Sequence, residues 1–192
     1  NLILEAKKAH TVKSKDATDS GKIAHFWIER YIGEKLGITG ADLMPENKEA
    51  QNAINSFLKW EAKVKPEWIA SEMRVCGKSG EYKYGGTVDF IARINGKLVI
   101  GDFKTSNQFS DDTPLQLAAY CQAVAQMLED GEERPTERLV VRLPKDGKDA
   151  EEWYLRTSLD FDIQAFNAFL VGNRWNLYFN NNFLDENKRI KL

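Results

Sequence analysis

The residues best suited to chemistry in this sequence are two aspartates and a lysine on a predicted β-hairpin. The dipeptide Asn95-Gly96 between two apolar segments is typical of a two-residue type I′ turn, because both central positions of that turn need φ > 0. Such a turn fixes the pairing of the flanking strands, which places Asp89 directly opposite Asp102. Lys104 follows Asp102 by two residues and therefore lies on the same face of the sheet. We expect these three side chains to form one polar cluster at the open end of the hairpin.

The same register makes the rest of the hairpin apolar on both faces, which is typical of two buried central strands. It also pairs Thr87 with Lys104 and adds Thr87 to the polar cluster. The predicted apolar pairs are Ile91 with Ile100 on one face, and Ala92 with Val99 and Val88 with Phe103 on the other.

Two carboxylates that face each other at the end of a buried hairpin repel strongly unless they share a proton or a cation lies between them. A hard divalent cation meets this need, and we expect Mg²⁺ or Mn²⁺ to bind Asp89, Asp102 and the Phe103 carbonyl while keeping several waters. Lys104 would hold or deprotonate an attacking water and stabilise charge on a phosphorane-like transition state. The alternative is that these acidic and basic residues form a solvated ion pair at a strand end.

Periodicity and turn signals predict the elements that must position this hairpin. Apolar residues recur at helical spacing before and after a block of strands, and Gly or Pro residues mark the ends. The order α-α-β-β-β-α-β-β-α predicts a mixed α/β fold with a central mixed sheet of about five strands and helices on both faces. The predicted helices are 15–36, 47–64, 113–128 and 160–179, and the predicted strands are 68–75, 82–94, 97–104, 138–143 and 153–157.

The composition limits the size of the protein and the way it can bind partners. The 192 residues correspond to one domain, at ~100–200 residues per domain. A hydrophobic fraction of 42% indicates a packed core. No apolar run approaches the ~18 residues of a membrane span. The 27 Lys and Arg residues against 29 Asp and Glu give a net charge of -2, which excludes binding to nucleic acid by bulk positive charge. A nucleic-acid partner must therefore be bound by a local patch or through metal ions.

The two cysteines, Cys76 and Cys121, lie far apart and form no CxxC pair. This spacing argues against a disulfide framework, a cysteine-based zinc site and an iron–sulfur cluster, and it fits a reducing cytosol. No signal-peptide pattern is present, but the first residue is Asn1 rather than Met, so upstream residues could be missing.

Three short motifs are separated along the sequence. The first is GKIAH at 21–25 on the first predicted helix, which is similar to a G-x-x-x-H motif. The second is GGTVD at 85–89, followed on the next strand by GDFKTS at 101–106. The third is QLAAY at 116–120, which matches a Q-x-x-x-Y motif. In this order and spacing the motifs resemble the PD-(D/E)xK nuclease superfamily, in its RecB-like (Cas4-type) exonuclease branch.

The resemblance implies a restriction-endonuclease-like core and a metal-dependent DNA nuclease. It implies that His25 binds the metal together with Asp89 and Asp102, and that Gln116 and Tyr120 hold the nucleic-acid strand beside the active site. Iron–sulfur members of the branch use four cysteines, so this chain would belong to a group without a cluster. No helicase motifs are present, so a helicase or recombination partner would be a separate chain or a missing part of this one.

Several candidates also have a purely structural interpretation. His25 follows Gly21 by one helical turn, so the bare glycine lets that helix face approach the sheet, although a helical histidine among aromatics is more often packed than a ligand. Tyr120 is either a substrate contact or a half-buried core aromatic. Glu72, on the first strand, either reaches the metal or a water around it, or is a surface carboxylate. Glu29 either orients the imidazole or is a solvated helix charge.

The sequence therefore predicts a single nuclease domain over 1–192, with N-terminal helices 1–64 that carry the G-x-x-x-H motif. The predicted activity is Mg²⁺- or Mn²⁺-dependent hydrolysis of DNA by an exonuclease on single-stranded or end-containing DNA. Its setting would be the cytoplasm of a bacterial or phage-infected cell, in DNA repair or phage replication. The alternatives are a structure-selective endonuclease on the same core and a non-catalytic DNA-binding or assembly module. Candidate phosphate contacts are Lys7, Lys8, Lys13, Lys15 and Lys22 near one end and Lys188, Arg189 and Lys191 near the other.

Overall fold

The computed structural model describes residues 2–40, 42–106 and 108–183, and the side chains of 19–177 within these ranges. The described chain forms four helices and five strands in the predicted order. Of the predicted basic clusters, Lys7 to Lys15 and Lys188 to Lys191 lie outside the described side chains. The elements are α1 Leu2–Lys35, α2 Lys48–Val64, β1 Glu67–Ser79, β2 Tyr82–Ile94, β3 Lys97–Lys104, α3 Thr113–Met127, β4 Glu137–Arg142, β5 Glu151–Tyr154 and α4 Leu159–Phe183.

The five strands form one mixed sheet in the order β1-β2-β3-β4-β5. Neighbouring strands are antiparallel except β3 and β4, which are parallel. Because a parallel pair needs a long crossover connection, the chain passes through α3 between these two strands. The predicted mixed sheet and its element order are confirmed.

Helices cover both faces of this sheet. On one face, α1 and α2 contribute Ile28, Ile32 and Phe57 to a buried cluster. On the other face, α3 contributes Leu117 and Val124 to a second cluster, and α4 packs against α3. Burial from both sides explains the continuous apolar sequence of β3. None of the four described helices is both long and apolar enough to cross a bilayer.

Local signals set the ends of the elements. The side chain of Asn47 caps α2 by accepting a hydrogen bond from a backbone N–H of its first turn, and Lys65 ends the helix in the left-handed region with φ 54°. β1 runs over 67–79 and is longer than the predicted 68–75. The reason is that Gly77 continues the strand beneath the Tyr84 ring, where a Cβ would lie 2.3 Å from a ring carbon.

A buried ion pair joins β4 to the starts of α3 and α4. The Arg138 guanidinium donates to Asp162 Oδ2 at 2.6 Å, to the Pro114 carbonyl at 3.2 Å and to the Thr157 carbonyl at 2.8 Å. These bonds turn the chain at Thr157 toward the start of α4. The strand β5 therefore ends at Tyr154 and not at the predicted residue 157.

Candidate active site

The β2–β3 hairpin has the register that its turn predicts. Asn95 and Gly96 have φ of 51° and 76°, as a type I′ turn requires. Regular pairing continues from the turn to the pair Phe90 and Gly101. The Phe90 ring covers Gly101, because a Cβ on this glycine would lie 1.8 Å from a ring carbon. Packing at the end of the hairpin thus depends on the glycine that precedes Asp102.

The regular ladder stops where the charged residues begin. Counted away from the turn, Asp89 and Asp102 are the next residues after the last regular pair, Phe90 and Gly101. The backbone N–H of Phe103 donates to Asp89 Oδ2 at 2.8 Å, so the aspartate side chain replaces a backbone acceptor there. The pairing predicted between Thr87 and Lys104 is not part of the ladder.

The predicted face of Val88 is wrong. Val88 packs on the α3 side of the sheet with Ile91, whereas its predicted partner Phe103 packs on the α1 and α2 side. The alternation of β2 is interrupted at Asp89, where the opposing β1 residue, Glu72, has φ 49°. A left-handed residue inside a strand disturbs the regular pleat. Since no turn motif marks this position, the sequence gives no sign of the interruption.

Asp102 is buried and forms an ion pair with Lys104. The Lys104 Nζ lies 3.0 Å from Oδ1, to which it donates a hydrogen bond, and 2.9 Å from Oδ2. Burial raises the pKa of Asp102, and the ammonium group of Lys104 opposes that shift. Although Oδ2 is buried, it has no hydrogen-bond partner of good geometry. One oxygen of a buried carboxylate is therefore open to another ligand.

Asp89 is held in a position where its charge is unfavourable. Burial raises the pKa of Asp89 to about 8, with further contributions from the nearby carboxylates of Asp102 and Glu72. The hydrogen bond from the Phe103 N–H and the charge of Lys104 act in the opposite direction. The ionised form of this carboxyl group is therefore disfavoured unless a cation lies beside it.

His25 of α1 faces this pair of carboxylates. Its Nδ1 lies 3.6 Å from Asp89 Oδ2. Burial and the nearby charge of Lys104 lower the pKa of His25 to about 4. Hydrogen bonding to the Phe103 backbone has the opposite, smaller effect on this pKa. The imidazole is therefore neutral at pH 7 and able to bind a metal ion.

The glycine one turn before His25 brings α1 close to the β2–β3 hairpin. A Cβ on Gly21 would lie 2.6 Å from the hydroxyl of Thr105, which directly follows β3. The predicted close approach of this helix face is confirmed. A side chain at position 21 would require the Thr105 side chain to move or α1 to shift away from the end of β3.

Glu72 and Glu29 lie near each other at the margin of the site. Burial raises the pKa of Glu72, and the charges of Glu29 and Asp102 add to the shift. Glu72 is thus close enough to the carboxylate pair to influence it. Among the contacts of the described residues, His25 is joined to Asp89 and Phe103 and not to Glu29. The role of Glu29, as a residue that orients the imidazole or as a solvated helix charge, stays a prediction with both alternatives open.

A divalent metal ion fits the chemistry of this donor set. Asp102 offers a buried oxygen without a hydrogen-bond partner, Asp89 is close to a second carboxylate, and His25 is neutral. Within the described part of the chain, no three His, Cys, Asp or Glu side chains are grouped so that they could hold a metal ion by themselves. Mg²⁺ does not need such a group, because it commonly binds one or two carboxylates and keeps several waters.

The two residues of the Q-x-x-x-Y motif are bonded to each other beside β2. Gln116 Nε2 donates to Tyr120 Oη at 3.0 Å, one turn along α3. The Tyr120 ring lies over Gly86, where a Cβ would be 2.4 Å from a ring carbon. This glycine, three residues before Asp89, therefore creates the space that the tyrosine fills.

Arg142 is a residue of this region that the sequence analysis did not single out. It is paired with Lys104 across the parallel β3–β4 ladder. Its Nε donates to the carbonyl of Ser106 at 3.3 Å, and its guanidinium forms an ion pair with Glu151. Arg142 thereby holds the start of the loop after Lys104. A strand register set across a helical crossover leaves no local signal in the sequence, so this position could not be found there.

Comparison with known proteins agrees with this architecture. The chain is similar to the crystal structure of a protein from Eubacterium rectale described as a candidate exonuclease, with 14% identity and a TM-score of 0.51. The match covers 83% of this chain and 66% of that one, so the chain spans just under two thirds of its length. At this identity the likeness shows the fold alone. The structure of SSO0001 matches with a TM-score of 0.38 and 16% identity over 65% of this chain and 56% of that one.

No curated protein matches the chain. The family model described as the PD-(D/E)XK nuclease superfamily matches residues 3–172, a range that includes all five strands, His25 and the Q-x-x-x-Y motif. The mixed sheet with helices on both faces is consistent with the restriction-endonuclease-like fold. The chain therefore belongs to the PD-(D/E)XK nuclease superfamily.

Proposed function

We propose that this chain is a Mg²⁺- or Mn²⁺-dependent deoxyribonuclease. The observation that carries the proposal is the pair of carboxylates at the end of the β2–β3 hairpin, buried Asp102 and half-buried Asp89. Lys104 Nζ lies 2.9 Å from Asp102 Oδ2, and His25 Nδ1 lies 3.6 Å from Asp89 Oδ2. The pKa of both carboxyl groups is raised, so the pair is unfavourable without a counter-charge. A divalent cation supplies that charge. Its ligands would be Asp89, Asp102, His25 and the Phe103 carbonyl.

The proposed reaction is hydrolysis of a phosphodiester bond. When bound, the metal supplies Lewis-acid stabilisation of charge on the phosphate oxygens. Asp102 holds Lys104 at the reacting phosphate, where the ammonium group orients the attacking water and stabilises negative charge. The water oxygen forms a bond to phosphorus and gives up a proton to solvent, the bond to the leaving sugar oxygen breaks, and that oxygen takes up a proton from solvent. The burial of Asp102 reduces the screening of these charges by bulk water.

We further propose that the enzyme is an exonuclease on single-stranded or end-containing DNA. Gln116 and Tyr120 lie beside β2 and would bind the strand that enters the site. The similarity to a structure that is described as a candidate exonuclease agrees with this proposal. The wider proposal is a cluster-free member of the RecB-like branch, formed as one domain over 1–192, that acts in the bacterial or phage-infected cytoplasm with a helicase or recombination partner on another chain.

The test is a nuclease assay on purified protein with and without Mn²⁺ or Mg²⁺. The substrates are linear and covalently closed circular DNA, each single- and double-stranded, together with single-stranded RNA. We expect metal-dependent cleavage of linear single strands and no cleavage by the Asp102→Asn variant. Cleavage of closed circles would identify an endonuclease instead. Binding of DNA without cleavage under any metal condition would overturn the catalytic proposal in favour of a non-catalytic module.

The contact between Gly86 and Tyr120 gives a prediction about substrate binding. In the Gly86→Ala variant the new methyl group displaces the Tyr120 ring, so we expect KM for single-stranded DNA to rise on the order of 10-fold, with kcat changing less. The matched control is Gly85→Ala, because a Cβ there would be 3.4 Å from its nearest neighbour, the Val75 carbonyl. Equal KM values for the two variants would show that Tyr120 does not contact the substrate.

A further inference from the structure

A row of paired residues leads from the carboxylate site to an aromatic residue at the edge of the sheet. Asp102 on β3 pairs with Val140 on β4, and Val140 pairs with Trp153 on β5. Paired residues share a sheet face, and Val140 and Trp153 both belong to the core on the α3 side. Two strand spacings of ~4.8 Å place the Cα atoms of Asp102 and Trp153 about 10 Å apart.

Phe109 lies against this tryptophan. The two rings meet edge to face, with centroids 5.5 Å apart and an interplanar angle of 78°. Phe109 belongs to the loop between Lys104 and α3 and keeps 39% of its surface exposed. A large aromatic side chain that is both held by a neighbour and open to solvent can accept a second ring on its free side.

The loop that carries Phe109 is anchored on both sides of it. On one side, the Ser106 carbonyl accepts from Arg142 Nε at 3.3 Å. On the other side, the N–H of Thr113 donates to the Ser110 carbonyl at 3.0 Å, at the start of α3. The Ser106 bond to β4 and the ring contact with Trp153 of β5 restrict the position of Phe109 relative to the sheet, which lowers the entropy cost of binding to it.

Two aromatic side chains consequently flank the carboxylates from opposite directions along the sheet. Tyr120 lies over Gly86 of β2, and Phe109 lies against Trp153 of β5, while Lys104 belongs to β3 between them. A nucleic-acid strand whose phosphate is held at Lys104 would extend toward one aromatic residue on each side of the reacting bond.

We propose that Phe109 is a substrate-binding residue, on which a base of single-stranded DNA stacks within a few nucleotides of the reacting phosphate. The inference deepens the proposed nuclease function and rests on it. It also specifies the substrate class. Bases in a duplex are stacked on each other and have no free face, whereas a single strand or a frayed end offers one to an aromatic ring.

The test measures binding separately from cleavage, in the inactive Asp102→Asn background. Single-stranded oligonucleotides carry the fluorescent base 2-aminopurine at successive positions. Affinity and 2-aminopurine fluorescence are measured for the protein that retains Phe109 and for its Phe109→Ala, Phe109→Leu and Phe109→Trp variants. We expect Phe109→Ala to weaken binding by about 5- to 150-fold, as the loss of one base–aromatic stack does. Phe109→Trp should retain the affinity and the quenching of 2-aminopurine at one position, and Phe109→Leu should lose both. Affinity for blunt duplex DNA should change little.

The leucine variant distinguishes stacking from a purely structural role, because Leu can still pack on Trp153 and hold the loop. Equal affinity of Phe109→Leu and the parent would overturn the inference, and so would unchanged binding by Phe109→Ala. The control is Phe169→Ala, which removes an aromatic ring of 69% exposure from α4. If the parent cleaves single-stranded DNA but the Phe109 variants bind it normally, only this inference fails. If the parent neither binds nor cleaves DNA, the proposed function fails and this inference with it.

Discussion

Lys104→Met is expected to reduce the rate of DNA cleavage by about 10²- to 10⁴-fold, the usual effect of removing a group that acts on the attacking water. The side chain is positioned for this role by Asp102, whose carboxylate oxygens lie 2.9 and 3.0 Å from Nζ. Methionine keeps much of the apolar length of the lysine but has no charge and no hydrogen-bond donor. The measurement is single-turnover cleavage of a labelled linear single strand at saturating Mn²⁺.

The matched control is Lys97→Met, the same substitution at the other end of β3. Lys97 is 66% exposed and pairs with Glu137 at the surface, so its loss should leave cleavage within about twofold of the parent. Retained cleavage by Lys104→Met would show that the lysine takes no part in the reaction. A matching loss in both variants would indicate a general effect on the strand.

Lys104→Met should also change how the stability of the protein responds to metal. Without Lys104 the buried Asp102 loses its ion-pair partner, so the metal-free protein is expected to lose ~1–3 kcal/mol of stability. Saturating Mn²⁺ should restore most of this loss because the cation then compensates the carboxylate. Thermal denaturation of parent and variant, each with EDTA and with Mn²⁺, measures the difference. An equal loss under both conditions would contradict a metal ion at Asp102.

The metal-free protein is expected to lose stability as the pH rises from about 6.5 to about 8. The pKa of Asp89 is raised to about 8, so the folded state keeps a proton that the unfolded state has released, and folding becomes less favourable with rising pH. The raised pKa values of Asp102 and Glu72 act in the same direction. For one proton the slope is at most ~1.4 kcal/mol per pH unit.

His25 has the opposite effect at lower pH. Its pKa is lowered to about 4 from 6.5, so between these values the unfolded state binds a proton that the folded state does not, and stability rises with pH. The two effects partly cancel below about pH 6.5. Above it the histidine is neutral in both states, and the carboxyl groups alone determine the slope.

Asp89→Asn should remove most of the loss of stability that the metal-free parent shows as the pH rises toward 8. At pH 8 the metal-free variant should be more stable than the parent by ~1–3 kcal/mol. The variant should also have no cleavage activity. The amide can still accept the hydrogen bond from Phe103 N–H but carries no charge. Urea denaturation in EDTA at pH 6 and pH 8 measures both quantities. Asp149→Asn is the control, because that carboxylate is 81% exposed. A parent whose stability is the same at both pH values would refute the account of the buried pair.

Much of this site could be predicted from short-range signals. The Asn95-Gly96 turn determines the hairpin register, and the register brings Asp89 and Asp102 together at its end. The spacing of Gly21 and His25 on one helix face correctly predicts the close approach of α1 to the sheet. These inferences succeed because each depends on a few neighbouring residues whose geometry is fixed by a turn or a helix.

What could not be predicted depends on contacts between distant segments. The left-handed Glu72 and the reversed face of Val88 result from the pairing of β1 with β2, and no turn motif marks that irregularity. The positions of Arg142 and Trp153 relative to the site depend on the parallel register across the α3 crossover. Phe109 becomes informative only when its contact with Trp153 is known. Side-chain alternation within one strand carries none of this information.

The hairpin that brings the carboxylates together also separates them from its own turn. Asn95 lies six residues from Asp89 along β2, which corresponds to about 20 Å in an extended strand. The turn is therefore a natural attachment point for a fluorophore, a biotin or a solid support. A protein fixed there would keep its carboxylate site directed away from the surface, and under the proposed function this orientation suits observing the digestion of one DNA molecule at a time.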